Sequence, residues 1–175
     1  MDDTFAWFSQ RGLVMRRSAA DREYSGTADI AGVQPVFLSA GEIPRELAAG
    51  RIHLGVTGSD LVREQLTEDE VVELVRLGFG HADLVIAVPN VWIDVETVDD
   101  LDAAAAAFRS AHGFRLRIAT KYHRLVREFL TAKGVADYQL VYSQGATEGT
   151  VKNGPAETIA DITSSGETLK ANHLR

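Results

Sequence analysis

Cysteine is absent from the 175 residues. That excludes disulfides and thiol catalysis, and it points toward the cytoplasm. No apolar run approaches the roughly 18–20 residues of a membrane span. Met1-Asp2-Asp3 is acidic where a signal or transit peptide would be basic. Positive charge is in the minority: 18 Lys and Arg stand against 25 Asp and Glu, a net charge of −7. This argues against broad nucleic-acid binding, which needs a basic surface. It does not exclude nucleotide substrates, which local amides and a few cations can hold inside a cleft. No Ser/His/Asp pattern, repeat or low-complexity linker is present. The five histidines have no metal-ligand spacing; His53 is given no role, and His81, His112, His123 and His173 are expected to pack or face solvent.

What is present is ordinary for a globular chain: 45% hydrophobic and 25% charged residues, enough for one domain or two small lobes. Residues 2–12 predict a helix stopped by Gly12, and 16–32 a polar loop. Residues 36–38 and 52–56 predict strands, with helices over 42–49 and from Asp60. Strands are expected again at 73–79 and 83–88, before Pro89-Asn90-Val91-Trp92 breaks the pattern. A helix over 97–111 is capped by Thr97, with Asp99 and Asp100 in its first turn. A strand at 115–119, a helix at 122–132 and a strand at 138–142 complete the series. Such alternation points to βαβ units with parallel sheets. It fits an α/β, two-lobed, periplasmic-binding-protein-like (type II) architecture. The lobes read as 1–88, 89–165 and a return beginning at 166–175, with the active site in the cleft.

The segment 145–174 carries the most information. A Gly-rich loop leads to a short apolar strand with Asp161, then to Thr163-Ser164-Ser165-Gly166 and a helix from Glu167. Such turns aim N–H groups and hydroxyls at an anion, although a tight αβ connection looks the same in sequence. Ligands of open α/β sheets lie beyond the carboxyl ends of strands, and the stretches 57–60, 120–121 and 145–150 all fall at such ends.

Gly145-Ala146-Thr147-Glu148-Gly149 closely resembles the phosphoribosyl-diphosphate loop of the ATP phosphoribosyltransferase family. The stretch from Ala160-Asp161-Ile162-Thr163 to Asn172 resembles the family segment next after that loop. Leu54-Gly55-Val56-Thr57-Gly58-Ser59-Asp60-Leu61 and Ile118-Ala119-Thr120-Lys121-Tyr122 resemble family motifs in the same order. The resemblance covers nearly the whole chain. It implies transfer of a phosphoribosyl group from phosphoribosyl diphosphate to N1 of ATP, releasing pyrophosphate, as the first step of histidine biosynthesis. Mg²⁺ would be bound with the substrate phosphates. Such chemistry rests on positioning and electrostatics rather than on a general base.

By resemblance, Gly145, Ala146, Thr147, Glu148, Gly149 and Thr150 hold the phosphoribosyl group, the amides and hydroxyls suiting its 5′-phosphate. Glu148 bonds ribose hydroxyls or is a solvated carboxylate. Lys152 adds a phosphate contact or is exposed. Asp161 orients Mg²⁺ through water or forms a turn, and Thr163 and Ser164 support the loop. Gly58, Ser59 and Asp60 lie on the ATP side, where Asp60 has a plain alternative as a helix-dipole partner. Lys121 approaches a phosphate or is exposed; Arg22 and Tyr24 match a stretch that reaches the cleft.

Family members also begin with a strand and a Ser-Lys-Gly-Arg-type turn ahead of the first helix here, and they end on strands that return to the first lobe. The expectation is therefore a catalytic core, less stable and weakly active alone. The wording of 77–83 and 170–174 resembles the short form of the family. That form assembles as a homo-oligomer with a regulatory subunit similar to histidyl-tRNA synthetase. A non-catalytic two-lobed binder of a small anion is the competing reading, and a lobe completed by a partner the third.

Overall fold

The structure, a computed structural model, describes residues 2–17, 24–143, 147 and 149–175. The chain divides into two compact units, Met1–Gly80 and His81–Arg175, each described by itself.

In the first unit α1 (Asp2–Ser9) precedes β1 (Met15–Arg17) and β2 (Gly26–Ala28), which pair antiparallel from Met15 with Ala28 to Arg17 with Gly26. This small ladder occupies part of the expected loop 16–32. Helices α2 (Ile43–Ala48) and α3 (Ser59–Gln65) form as expected. The strands expected at 36–38, 52–56 and 73–79 do not form. The first makes only an isolated bridge, Ser25 with Val36. A strand exists only against a partner, and none of the described residues pairs with the other two. Leu54, Leu74 and Val75 stay out in solvent, Leu54 and Leu74 each 73% exposed, while Ile52, Val56, Leu77 and Phe79 are half-buried.

The second unit holds a four-stranded sheet of β3 (Asp83–Ala87), β4 (Leu116–Thr120), β5 (Tyr138–Tyr142) and β6 (Thr158–Thr163), in the order β3-β6-β4-β5. β4 runs parallel to β5 and β6, whereas β3 is antiparallel to β6, from Asp83 with Thr163 to Ala87 with Ile159. The sheet is therefore mixed rather than wholly parallel. β3, read from the sequence as the close of the first lobe, is hydrogen-bonded into the second unit.

Helix α4 (Val98–His112) starts on a reciprocal cap. Thr97 Oγ1 accepts from Asp100 N at 3.2 Å, and Asp100 Oδ2 accepts from Thr97 N at 2.8 Å. Its alanine run supplies helix propensity while Leu101 and Ala105 are buried. α5 (His123–Ala132) buries Leu125, Val126 and Leu130. Short helices α6 (Gly149–Asn153) and α7 (Glu167–Ala171) flank β6; α6 interrupts what the sequence presents as loop.

Ala87, Ala119, Ala156, Ile159 and Leu174 form one buried cluster, with Val151 and Leu169 packed on it. The last residues are part of this core. Arg175 exchanges backbone hydrogen bonds of 2.9 Å with Val88, and its guanidinium donates to the carbonyls of Trp92 and Val95. The segment expected to lead back to the first lobe thus packs on the second unit. No helix among the described residues is long and apolar enough to cross a membrane.

Candidate functional site

The strands β4, β5 and β6 run parallel, and a run of buried hydroxyl residues connects the carboxyl ends of β4 and β5. Thr120 closes β4. Its Oγ1 accepts from Tyr122 N at 2.9 Å, and its carbonyl accepts from Ser143 N at 3.1 Å just past β5. Ser143 Oγ then donates to Thr147 Oγ1 at 3.2 Å. The Thr147 carbonyl accepts from Thr150 N at 3.0 Å and from Thr150 Oγ1, fixing the first turn of α6. Thr120, Ser143 and Thr147 are all buried. The buried hydroxyls are tolerated because each has a partner: Thr120 takes the Tyr122 amide, and Ser143 and Thr147 bond each other.

Thr150 is half-buried beside this run. Gly149 has φ outside the left-handed region, and a Cβ there would meet nothing within 4 Å. Neither backbone strain nor crowding calls for glycine, so its bare face is open to a close neighbour. Gly145, Ala146 and Glu148 lie outside the described residues.

Lys121 and Asp161 come from adjacent strands. Ala119 is in register with Ile159, so the two side chains emerge side by side, each two residues further on. Lys121 Nζ lies 3.3 Å from Asp161 Oδ1, which also accepts from the Ile162 amide at 2.8 Å. Asp161 is 14% exposed and Lys121 40%. The carboxylate is committed within the protein while the ammonium keeps access to water. The Lys121 ammonium also stands 5.5 Å from the Tyr122 ring centroid.

The turn beyond β6 is closed by its own side chains. Thr163 Oγ1 accepts from Gly166 N at 2.8 Å and Ser165 Oγ from Glu167 N at 3.3 Å. Gly166 has φ 71°, which disfavours any other residue. Thr163 thus shapes a turn.

In the first unit Gly58 caps α3, and Ser59 and Asp60 open it. A Cβ on Gly58 would lie 2.1 Å from Asp60 Oδ1. The carboxylate folds back over the glycine at the positive end of the helix, which matches the dipole-partner reading. Arg22 lies outside the described residues. Among the described residues no three His, Cys, Asp or Glu gather to hold a metal. His112 packs with Phe108 and Phe114, and His123 with Tyr142.

Sequence reasoning passes over Ser143, and it places Thr120 at a strand end without giving it a role of its own. Their only signal is a hydroxyl residue at the end of an apolar strand.

The family model for HisG, ATP phosphoribosyltransferase, matches residues 39–175. The chain is 75% identical to the ATP phosphoribosyltransferase of Cereibacter sphaeroides over its whole length, covering 75% of that protein. The chain belongs to the ATP phosphoribosyltransferase family. It is also 50% identical to the Sinorhizobium medicae member, over 99% of this chain and 77% of that one. The Rhodopseudomonas palustris member is 50% identical over 97% of this chain, which spans 53% of that relative. A solved ATP phosphoribosyl transferase (HisG:HisZ) complex from Thermotoga maritima superposes with TM-score 0.69 at 18% identity, covering 99% of this chain and 74% of that one. At that identity the likeness speaks for an α/β fold of the same kind. Relatives named ATP phosphoribosyltransferase favour a transferase of histidine biosynthesis over a non-catalytic binder.

Proposed function

We propose that this chain transfers the phosphoribosyl group of phosphoribosyl diphosphate to N1 of ATP, with residues 145–150 holding the phosphoribosyl group. The adenine N1 bonds to ribose C1 as the C1–O bond to the diphosphate breaks, and pyrophosphate leaves. The observation that carries the loop assignment is the run Thr120–Ser143–Thr147–Thr150, lying at strand ends where α/β ligands bind. It fixes one edge of the loop before any ligand arrives, which is what positioning catalysis requires.

Lys121 is the side chain best placed to meet a phosphate oxygen. Its ammonium is held near the strand ends by Asp161 yet open to solvent. Asp161 then remains as negative charge near the ribose carbon, which becomes cation-like as pyrophosphate departs. Mg²⁺ bound with the substrate phosphates would neutralise the leaving diphosphate. The described residues offer no cage of carboxylates, and Asp161 is already engaged. This donor set suits an ion carried chiefly on phosphate oxygens. The same proposal includes the type II periplasmic-binding-protein-like arrangement, with Gly58, Ser59 and Asp60 serving ATP and Arg22 reaching substrate. It also includes a cytoplasmic setting, a homo-oligomer and a regulatory subunit similar to histidyl-tRNA synthetase.

The test is pyrophosphate release with and without that subunit. Release that needs both ATP and phosphoribosyl diphosphate, and falls with Thr150→Ala, supports the reading. Binding of neither ATP nor phosphoribosyl diphosphate overturns it.

A further inference from the structure

β5 stands at the end of the strand order, and among the described residues it pairs with β4 alone. Leu116 N donates to the Asp137 carbonyl at 3.2 Å, and Ser143 N donates to the Thr120 carbonyl at 3.1 Å. The odd-numbered residues of this stretch therefore turn their main chain to β4, while Tyr138 and Leu140 turn N–H and C=O outward. Such an outward row is a template for a further strand, and proteins commonly blunt it with a charge, a proline or a bulge. Tyr138-Gln139-Leu140-Val141-Tyr142 carries no charge and no proline, and its register with β4 is unbroken.

A groove of about 650 Å³ runs beside this edge. Tyr138, Gln139 and Leu140 line it with Arg115, which directly precedes β4, and with Arg127 and Thr131. The last two stand four residues apart and share one face of α5. None of the lining residues is acidic. The carboxylates closest in sequence are engaged elsewhere, Asp137 with Arg109 and Glu128 with Arg124. Arg115 and Arg127 are exposed and have no ion pair among the described residues. The groove follows the first half of β5, so it lies toward the amino ends of the parallel strands. The candidate phosphoribosyl site is at the opposite ends.

We propose that this edge takes an extended acidic segment of a partner protein as an added strand, main chain on Tyr138 and Leu140, carboxylates on Arg115 and Arg127. Main-chain hydrogen bonds supply affinity in this mode of recognition, and the side chains at alternate positions supply specificity. A guanidinium matches a carboxylate in planar, two-point fashion. A small free anion would meet the arginines but leave the Tyr138 and Leu140 main chain unused. A second copy of this chain would bring a like-charged edge, two more arginines with no lining carboxylate to meet them. The proposal does not depend on the phosphoribosyl reading.

The probe is the peptide acetyl-Glu-Val-Thr-Val-Glu-Thr-amide, titrated into the whole chain by calorimetry. Its controls are the same peptide with Lys for Glu, and two versions N-methylated on alternate amides. Amide hydrogen exchange at Tyr138 and Leu140, the melting temperature and the sedimentation profile are recorded alongside. The Glu peptide should bind and slow exchange at both amides, and the Lys peptide should bind at least about tenfold more weakly. One N-methylated version should lose binding and the other keep it, because only alternate amides of an added strand face β5. Arg115→Ala and Arg127→Ala should each weaken the Glu peptide about fivefold, the scale of one charge-assisted hydrogen bond, with the melting temperature unchanged. Arg127→Glu should shift the preference toward the Lys peptide, a reversal that only a folded protein can show. Equal binding of the Lys peptide, indifference to both methylation patterns, or unslowed exchange at Tyr138 and Leu140 would overturn the proposal. So would absence of binding, or a dimer that already protects those amides without peptide.

Discussion

Lys121 Nζ stands 3.3 Å from Asp161 Oδ1 across two neighbouring parallel strands, and the two partners differ in what they can do next. Asp161 also holds the Ile162 amide and is nearly covered, whereas Lys121 keeps two-fifths of its side chain in water. A partly exposed pair of this kind adds about 1 kcal/mol or less to stability. Its value lies in keeping a cation at the strand ends. Lys121→Ala should therefore leave the melting temperature nearly unchanged and weaken phosphoribosyl diphosphate about tenfold, the scale of one charge-assisted contact. A thermal scan and a binding titration together check this; a large loss of stability with intact affinity would reverse the assignment.

Arg117 and Glu157 clip the start of β6 to β4. Glu157 Oε2 accepts from the Arg117 amide at 2.8 Å, both carboxylate oxygens take the guanidinium, and Glu157 N donates back to the Arg117 carbonyl at 3.1 Å. Burial pushes the Glu157 carboxyl up, but hydrogen bonds from the Arg117 side chain and amide outweigh it and hold the group below its ordinary range. A lowered folded value means the contribution is complete above the ordinary glutamate range and is lost as pH falls through the folded value. Urea midpoints from pH 7 to pH 3 should fall more steeply for the unaltered protein than for Glu157→Gln. At pH 7 that substitution should cost about 1–2 kcal/mol. Parallel pH profiles would show that the clip carries no such linkage.

Thr97 caps α4 reciprocally with Asp100. Thr97→Ala should destabilise the protein by about 1 kcal/mol, read as a shift of the denaturation midpoint, with affinity for phosphoribosyl diphosphate unchanged.

Ile159 is fully buried at the centre of the sheet, in the cluster with Ala87, Ala119 and Leu174. Ile159→Ala should cost about 2–5 kcal/mol through lost burial and the cavity left behind. Chemical denaturation measures it, and a cost under about 1 kcal/mol would mean that the core collapses onto the gap.

The second unit is largely legible in sequence because its signals are local. Thr97 and Asp100 mark the start of α4, and Tyr138 to Tyr142 reads as a strand on β-branched and aromatic content alone. What sequence does not reveal depends on partners. The apolar pattern at 52–56 and 73–79 calls for an extended chain but does not say what pairs with it. α6 is built from Gly149, Thr150, Val151, Lys152 and Asn153, mostly poor helix formers, and is held by Thr147. The site divides the same way. Lys121 and Asp161 each stand out from their own neighbourhoods, but only the register of β4 with β6 makes them a pair. The Ser143–Thr147 bond depends on the loop closing back on the strand end, and nothing in the spacing of two hydroxyl residues reveals it.

The most direct test of the central claim is a titration of the protein's backbone amide resonances with Mg²⁺–phosphoribosyl diphosphate. Shifts should concentrate at residues 120–123, 143–151 and 161–166, with α4 unmoved. Shifts confined to other parts of the second unit, with those three stretches silent, would contradict it.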